Sequence, residues 1–479
     1  MYWHSAGTDT GPWPFHKQDT KPIWLDDRSS KWFITLTCSF SVFTIIPVLP
    51  FALTERAGLR DDQVQHWTSL LLTIYAACLL VGSPVAGWWS DRAKTRKLSF
   101  LVGLVALTIS TIIFCLANSL ALLVVGRIFQ GLSGAIVWTV GMATISDTYD
   151  EKEIGTALGY VTVARSSAII AGPLIGGALY SRAGYYPVYS VAFACLALDI
   201  ILRLLMIETV VARRWSSTSA SPKSNAGQDN TEPLPDLQSR SAIQILSTST
   251  GRGEAPEKNG HLSHRRVRMG VALWGSLVQT ILYGSFDATI TIFVKDTFGW
   301  NALDAGLVLL ALLVPTFVSP LVGLFTDRYG PRWFVVSGYL LTMIPLVLLR
   351  FVTEDTTKQK ILLCVLLAFT GGFSMLFEVP LWVEIVSTVR EGRDNIQGTK
   401  GPYAQAFGLA NLMAAIGMAI GPIWGGFTYE KFGWATMGYS LGILFAVSSI
   451  PSLVWTGGFI FQRNKHKSTS MWHESRQRA

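Results

Sequence analysis

The chain is written in apolar runs of about 20 residues, the length a helix needs to cross the hydrocarbon core of a bilayer. Twelve such blocks start near Trp32, Thr68, Leu98, Leu120, Ala157, Pro187, Met269, Ala302, Trp333, Lys360, Pro402 and Trp434. They are apolar nearly all round, whereas buried helices of a soluble protein would keep polar faces. The expected fold class is an all-α membrane protein with twelve transmembrane helices. Six blocks precede a polar stretch and six follow it. The chain thus divides into a tail 1–30, a six-helix half 31–208, a linker 209–268, a second half 269–459 and a tail 460–479. The linker is rich in Ser, Thr, Gly and Pro and too poor in large apolar residues to fold alone, so a disordered tether is expected.

The halves repeat one another. Gly159, Ala168, Gly172, Pro173, Gly176 and Gly177 recur, with the same internal spacing, as Gly408, Gly417, Gly421, Pro422, Gly425 and Gly426. Gly87-Trp88-Trp89-Ser90-Asp91-Arg92 and Gly323-Leu324-Phe325-Thr326-Asp327-Arg328 share the pattern G-x-x-[ST]-D-R. Two copies of one membrane unit make two pseudo-symmetric halves, a plan common among secondary transporters.

Charge sets the orientation, because Lys and Arg of short loops are retained on the cytosolic side. Arg92, Lys94, Arg96, Lys97, Arg328, Arg332, Arg390, Arg393 and Lys400 fall in alternate connections, and the linker and final tail add more. Both termini are expected in the cytosol, with the plasma membrane preferred over the vacuolar one. Topology accounts for most of the net charge of +8, so no nucleic-acid partner is expected. The first thirty residues carry no apolar core and do not read as a cleavable signal. Cys38, Cys78, Cys115, Cys195 and Cys364 lie inside spans, without the spacing of a metal site. No nucleotide-binding glycine loop and no His-Glu-x-x-His occurs. The expectation is therefore no enzyme, no cofactor and no ATP.

The fifth-block pattern G-x8-G-x3-G-P-x-x-G-G resembles the antiporter motif of the major facilitator superfamily, specifically of its twelve-span drug:proton antiporters; Ala168 stands where the second glycine is usual. Small residues every fourth position let helices approach closely, and proline permits a bend. Gly87 to Lys97 resembles the family's loop motif, matching at Asp91, Arg92 and Arg96 and departing at Lys94 and Thr95. An Asp beside the start of the next helix can cap its amides and hold a basic neighbour, making a charge latch, with a second copy at Asp327 and Arg328. Arg127, Gln130, Gly131 and Gly134 resemble the fourth-span motif R-x-x-Q-G-x-x-[GA]. The resemblance implies a part for Arg127 in proton coupling.

Intramembrane acids are costly and normally functional or paired. Asp199 and Arg203, four residues apart on one face, can neutralise each other as a structural ion pair or take part in substrate binding and proton coupling. Asp287 shares a helical face with Thr280, Tyr283 and Thr291, and Glu378 with Gly371, Ser374 and Trp382. Either carboxylate can carry a proton or bind substrate. Tyr75, Gln130, Trp138, Tyr160, Tyr283 and Trp382 are candidates to line a substrate cavity.

The segments Ile46–Arg56, Val137–Gly141 and Leu198–Glu208 resemble fungal members related to vesicular amine transporters. Those carriers have an Asp in span one, and 31–53 holds no acid, so a neutral or weakly charged substrate is expected. The resemblance implies a monomeric, proton-driven exporter of a drug, toxin or secondary metabolite working by alternating access between the halves. Inward transport or vacuolar sequestration, and a ligand sensor without transport, are the alternatives.

Overall fold

The computed structural model describes residues 53–54, 56, 58–93, 95–205, 257–300, 302–393 and 401–458. The block expected to begin near Trp32, the terminal tails and most of the linker lie outside the described residues. The helices are α1 (Asp61–Arg92), α2 (Arg96–Leu116), α3 (Leu120–Thr148), α4 (Ile154–Ala183), α5 (Tyr185–Leu205), α6 (Glu257–Phe298), α7 (Ala302–Leu313), α8 (Ser319–Tyr329), α9 (Pro331–Leu348), α10 (Thr357–Arg393) and α11 (Tyr403–Trp455). A tight 3-10 segment, Val314–Val318, joins α7 to α8, so that they make one span. Among the described residues, ten helical segments are long and apolar enough to cross a membrane. The last, α11, runs 53 residues but breaks at Gly433 (φ 83°), so it supplies two passes.

Only helix satisfies every backbone donor and acceptor within one segment in lipid, and the apolar runs leave no alternative. Hydroxyl side chains inside the spans donate back to carbonyls four residues earlier, as Thr108 does to Leu104 and Thr144 to Val140. Exposed Val81, Val85, Ile109, Leu116, Ile420 and Ile423 give the helices an apolar outer surface.

The duplication extends to the turns. Gly184 (φ 85°) ends α4 and Gly433 (φ 83°) breaks α11, 249 residues apart (184 to 433), a backbone conformation that glycine adopts without strain. One difference from expectation concerns the linker. Helix α6 starts at Glu257, inside the stretch assigned to the tether. Its early turns are anchored where Arg268, nearly buried, donates from Nε to Glu384 (2.7 Å) and from Nη1 to Glu391 (2.7 Å) on α10.

The halves meet where α1 packs on α11 and α4 on α8. Each seam brings backbones into direct apposition. A Cβ on Gly408 would stand 2.5 Å from the Ser83 carbonyl oxygen, and one on Gly159 2.6 Å from that of Ser319. One turn away Gly87 faces the Ala404 carbonyl and Gly323 that of Gly155, with no room for a side chain at either. The Ser-Pro pairs Ser83-Pro84 and Ser319-Pro320 occupy equivalent positions in the two seams.

Candidate functional site

A cavity of about 240 Å³ lies between the halves. Helices α1 (Tyr75), α3 (Trp138), α4 (Arg165), α6 (Gln279, Tyr283), α10 (Glu378, Trp382) and α11 (Asn411) contribute its polar and aromatic lining. Ser276 and Thr280 add hydroxyls, and most of the remaining lining is apolar, including Phe100, Leu107 and Phe407.

Inside it an ion pair crosses from one half to the other. Arg165 Nη2 donates to Glu378 Oε1 at 3.0 Å, and Gln279 Nε2 donates to the second carboxylate oxygen at 2.9 Å. The Glu378 side chain is 5% exposed and that of Arg165 28%. A carboxylate so buried is tolerable because both oxygens are bonded and one partner is cationic. The Arg165 guanidinium also sits 5.8 Å from the Trp138 ring and 5.9 Å from the Trp382 ring, which meet edge to face at 6.2 Å. Aromatic faces attract a guanidinium, so the rings of both halves hold this cation in the cavity. Tyr283 OH lies 3.5 Å from Ser374 Oγ.

A second set of contacts closes the end of the molecule that carries the basic loops. The Asp91 carboxylate accepts from the Ala404 amide (3.2 Å) and the Gln405 amide (2.8 Å), and pairs with Arg96 (3.1 Å). Arg96 also pairs with Asp147 and donates to the Gly401 carbonyl at 2.9 Å. In the other seam Asp327 accepts from the Gly155 amide (2.7 Å), the Thr156 amide (2.9 Å) and the Thr156 hydroxyl (2.9 Å). Each Asp thus caps the N-terminus of a helix in the opposite half, where free amides and the helix dipole favour an anion. The geometry differs from the expectation that each Asp would cap the next helix of its own half. Arg92 is exposed and stacked on Trp88 (3.8 Å), and Arg328 is exposed, so the cation engaged in the first latch is Arg96. Arg390 of α10 also reaches the opposite half, donating to the Ser146 and Tyr149 carbonyls (3.3 and 2.9 Å) at the C-terminal end of α3.

A sequence model of the Major Facilitator Superfamily matches residues 32–389 and 275–470. The chain belongs to that superfamily. It is 31% identical over 470 residues to the MFS-type transporter ppzB of Metarhizium rileyi, covering 91% of this chain and 97% of the relative. It is 27% identical over 440 residues to multidrug resistance protein 1 of Bacillus subtilis, covering 88% and 97%. Its motifs and these relatives set it among the drug:proton antiporters of the superfamily, which are transporters and not enzymes. The fold is shared with the human organic anion transporter MFSD10 (TETRAN), at a TM-score of 0.63, 16% identity, and coverage of 89% of this chain and 98% of that one.

Within this major facilitator fold the candidate residues separate into groups. Tyr75, Trp138, Tyr283, Trp382 and Glu378 come together in the cavity. Tyr160 is 49% exposed, and it does not line the cavity. Gln130 is buried away from it, accepting from Arg127 Nη1 at 2.6 Å. Arg127, 1% exposed, packs its guanidinium against Phe114 at 5.1 Å, on the side of α3 that faces α2. Its Nε and Nη2, and Gln130 Nε2, have no acceptor among the described residues. Asp199 and Arg203 are both buried where α5 packs on α2, with Arg203 over Phe100 at 5.1 Å. Asp287 is exposed and outside the cavity lining.

The antiporter-motif glycines of the second half pack α11 on α6. Gly417 meets the Leu277 carbonyl and the Thr280 hydroxyl, Gly421 would place a Cβ 2.7 Å from the Ile281 oxygen, and Gly425 one 2.8 Å from Ser285 Cα. Pro422 lies against Gly284 in the same seam, while Gly426 meets nothing within 4 Å. In the first copy Gly172 and Gly176 are buried, Pro173 is half-buried, and Gly177 meets nothing within 4 Å among the described residues.

Sequence reasoning missed Arg165, Gln279 and Asn411. Arg165 carried a usable signal, because a cation six residues past Gly159, in the middle of a span, is costly unless it faces a cavity or a partner. Gln279 and Asn411 carried none, since a lone amide in a span is as often buried packing.

Proposed function

We propose that the protein is a proton-coupled antiporter that exports a small organic molecule, a drug, toxin or secondary metabolite, from the cytosol by alternating access. The observation that carries this reading is the Arg165–Glu378 pair, which crosses between the halves inside the cavity. A carboxylate at that place answers to both events of an exchange cycle. Substrate entering the cavity meets the pair directly, and protonating Glu378 removes the charge that holds Arg165 across the seam. Proton and substrate then compete for one site, which is the condition for antiport.

The basic loops argue that the end closed by Asp91, Asp327 and Arg390 faces the cytosol, with both termini there, in a monomer of the plasma membrane. Those caps would break to open the cavity inward and re-form to open it outward. Arg127, buried and bonded to Gln130, is a second candidate for proton coupling, acting through α3 and not by contact with substrate. The test is efflux of a panel of fluorescent drugs and fungal metabolites from proteoliposomes with an imposed pH gradient. Gradient-dependent movement that a protonophore abolishes is expected. Movement that ignores the gradient, or runs with the proton, refutes antiport.

A further inference from the structure

Resting on the export reading, we infer that the substrate class is a neutral, planar aromatic molecule carrying an amide or lactam, whose carbonyl accepts from Arg165 and whose N–H donates to Glu378. Three observations converge on it. First, among the described residues Arg165 and Glu378 are the charged groups lining the cavity, and they cancel at 3.0 Å. An organic cation would stand against Arg165 and an anion against Glu378, so either would have to break the pair before binding. Second, Trp138 and Trp382, from opposite halves, meet edge to face at 6.2 Å with the guanidinium 5.8 and 5.9 Å from their rings, an aromatic corner beside the ion pair against which a flat ring system can pack. Third, Arg165 Nε is buried and has no acceptor among the described residues, so the site lacks a carbonyl-type oxygen that a ligand would bring.

This class also explains competition with the proton. A protonated Glu378 is only a neutral acceptor, so one proton taken from the medium by the carboxylate turns the charge-assisted contact with the amide N–H into a weaker one. The titratable groups facing Glu378 are Arg165 from α4 and Tyr283 from α6, with Tyr75 of α1 lining the same cavity and Tyr339 of α9 stacked beside it on Phe377. Neither Arg nor Tyr gives up its proton in the neutral-to-acid range, which leaves Glu378 to carry the dependence.

The test is equilibrium binding to the purified full chain in detergent, with no gradient, of 2-quinolinone, quinoline-2-carboxylate and protonated 2-(aminomethyl)quinoline. We expect 2-quinolinone to bind at least about tenfold more tightly than either charged probe, the worth of one well-made polar contact. Its affinity should fall by about the same factor on acidification, and Glu378→Gln should abolish that fall. Tighter binding of the carboxylate or the ammonium, no binding of 2-quinolinone, or wild-type affinity indifferent to pH each overturns the inference. Binding in detergent needs no transport. Lactam binding without gradient-driven movement in proteoliposomes would therefore sink the export reading and spare this one, and the opposite pattern the reverse.

Discussion

Asp327→Ala removes three hydrogen bonds that tie α8 to the first turn of α4 across the seam, from the Gly155 amide, the Thr156 amide and the Thr156 hydroxyl at 2.7, 2.9 and 2.9 Å. Loss of a side-chain cap at a helix N-terminus costs about 0.5–2 kcal/mol, and an ionised acceptor sits toward the top of that range. The two amides belong to a helix whose dipole also favours the carboxylate, so about 2 kcal/mol is the expected loss. The loss applies only to the state in which the seam is closed. An equilibrium between closed and open basic ends should therefore move by roughly 30-fold toward open, since 1.4 kcal/mol is a factor of ten. The assay is a distance distribution between spin labels on the basic ends of α4 and α8 in the purified protein, read alongside hydrogen exchange at Gly155 and Thr156. A longer-distance population should grow and both amides should lose protection. An unchanged distribution, with the amides still protected, would show that the caps do not bias the two states and would refute the latch. Asp327→Asn, which keeps an acceptor without the charge, should fall between the two.

Glu378→Gln should hold substrate binding at the weaker level of the protonated site and remove the pH dependence of transport, whereas Asp287→Asn should keep that dependence, because Asp287 does not line the cavity; initial efflux rates between pH 5.5 and 8 test the pair. Arg127→Ala should abolish proton-linked transport while protein level in the membrane is kept, and retained coupling would take Arg127 out of the mechanism. Gly323→Val sets a side chain into the Gly155 carbonyl where α8 and α4 touch, so the closed seam should be lost and transport should drop at least about tenfold; wild-type efflux from this variant would contradict the packing. Gly421→Val meets the Ile281 oxygen in the α6–α11 seam and should lower the thermal midpoint of the purified protein by several degrees, an overpacking cost of about 1–3 kcal/mol.

The apolar runs and their duplication determined the architecture without help, because lipid forces helix on any long apolar segment and a repeated pattern forces two like units. The Gly-Pro spacing also announced close helix packing, and the Ser-Asp-Arg and Thr-Asp-Arg loops announced anions near helix starts. Which helices those were could not be read locally. Asp91 caps the first turn of α11 and Asp327 that of α4, more than 170 residues away in each case, and only the assembled halves bring them together. The same limit hid the cavity. Trp138, Trp382 and Glu378 were candidates by type and face, yet so were Tyr160 and Gln130, which the packing turns away from it. A helical face is defined by periodicity, but what it faces is set by neighbours distant in sequence. The pairing of Arg165 with Glu378, 213 residues on, is therefore a property of the tertiary structure: a buried charge needs an opposite one nearby, and the sequence says that each needs a partner without saying which.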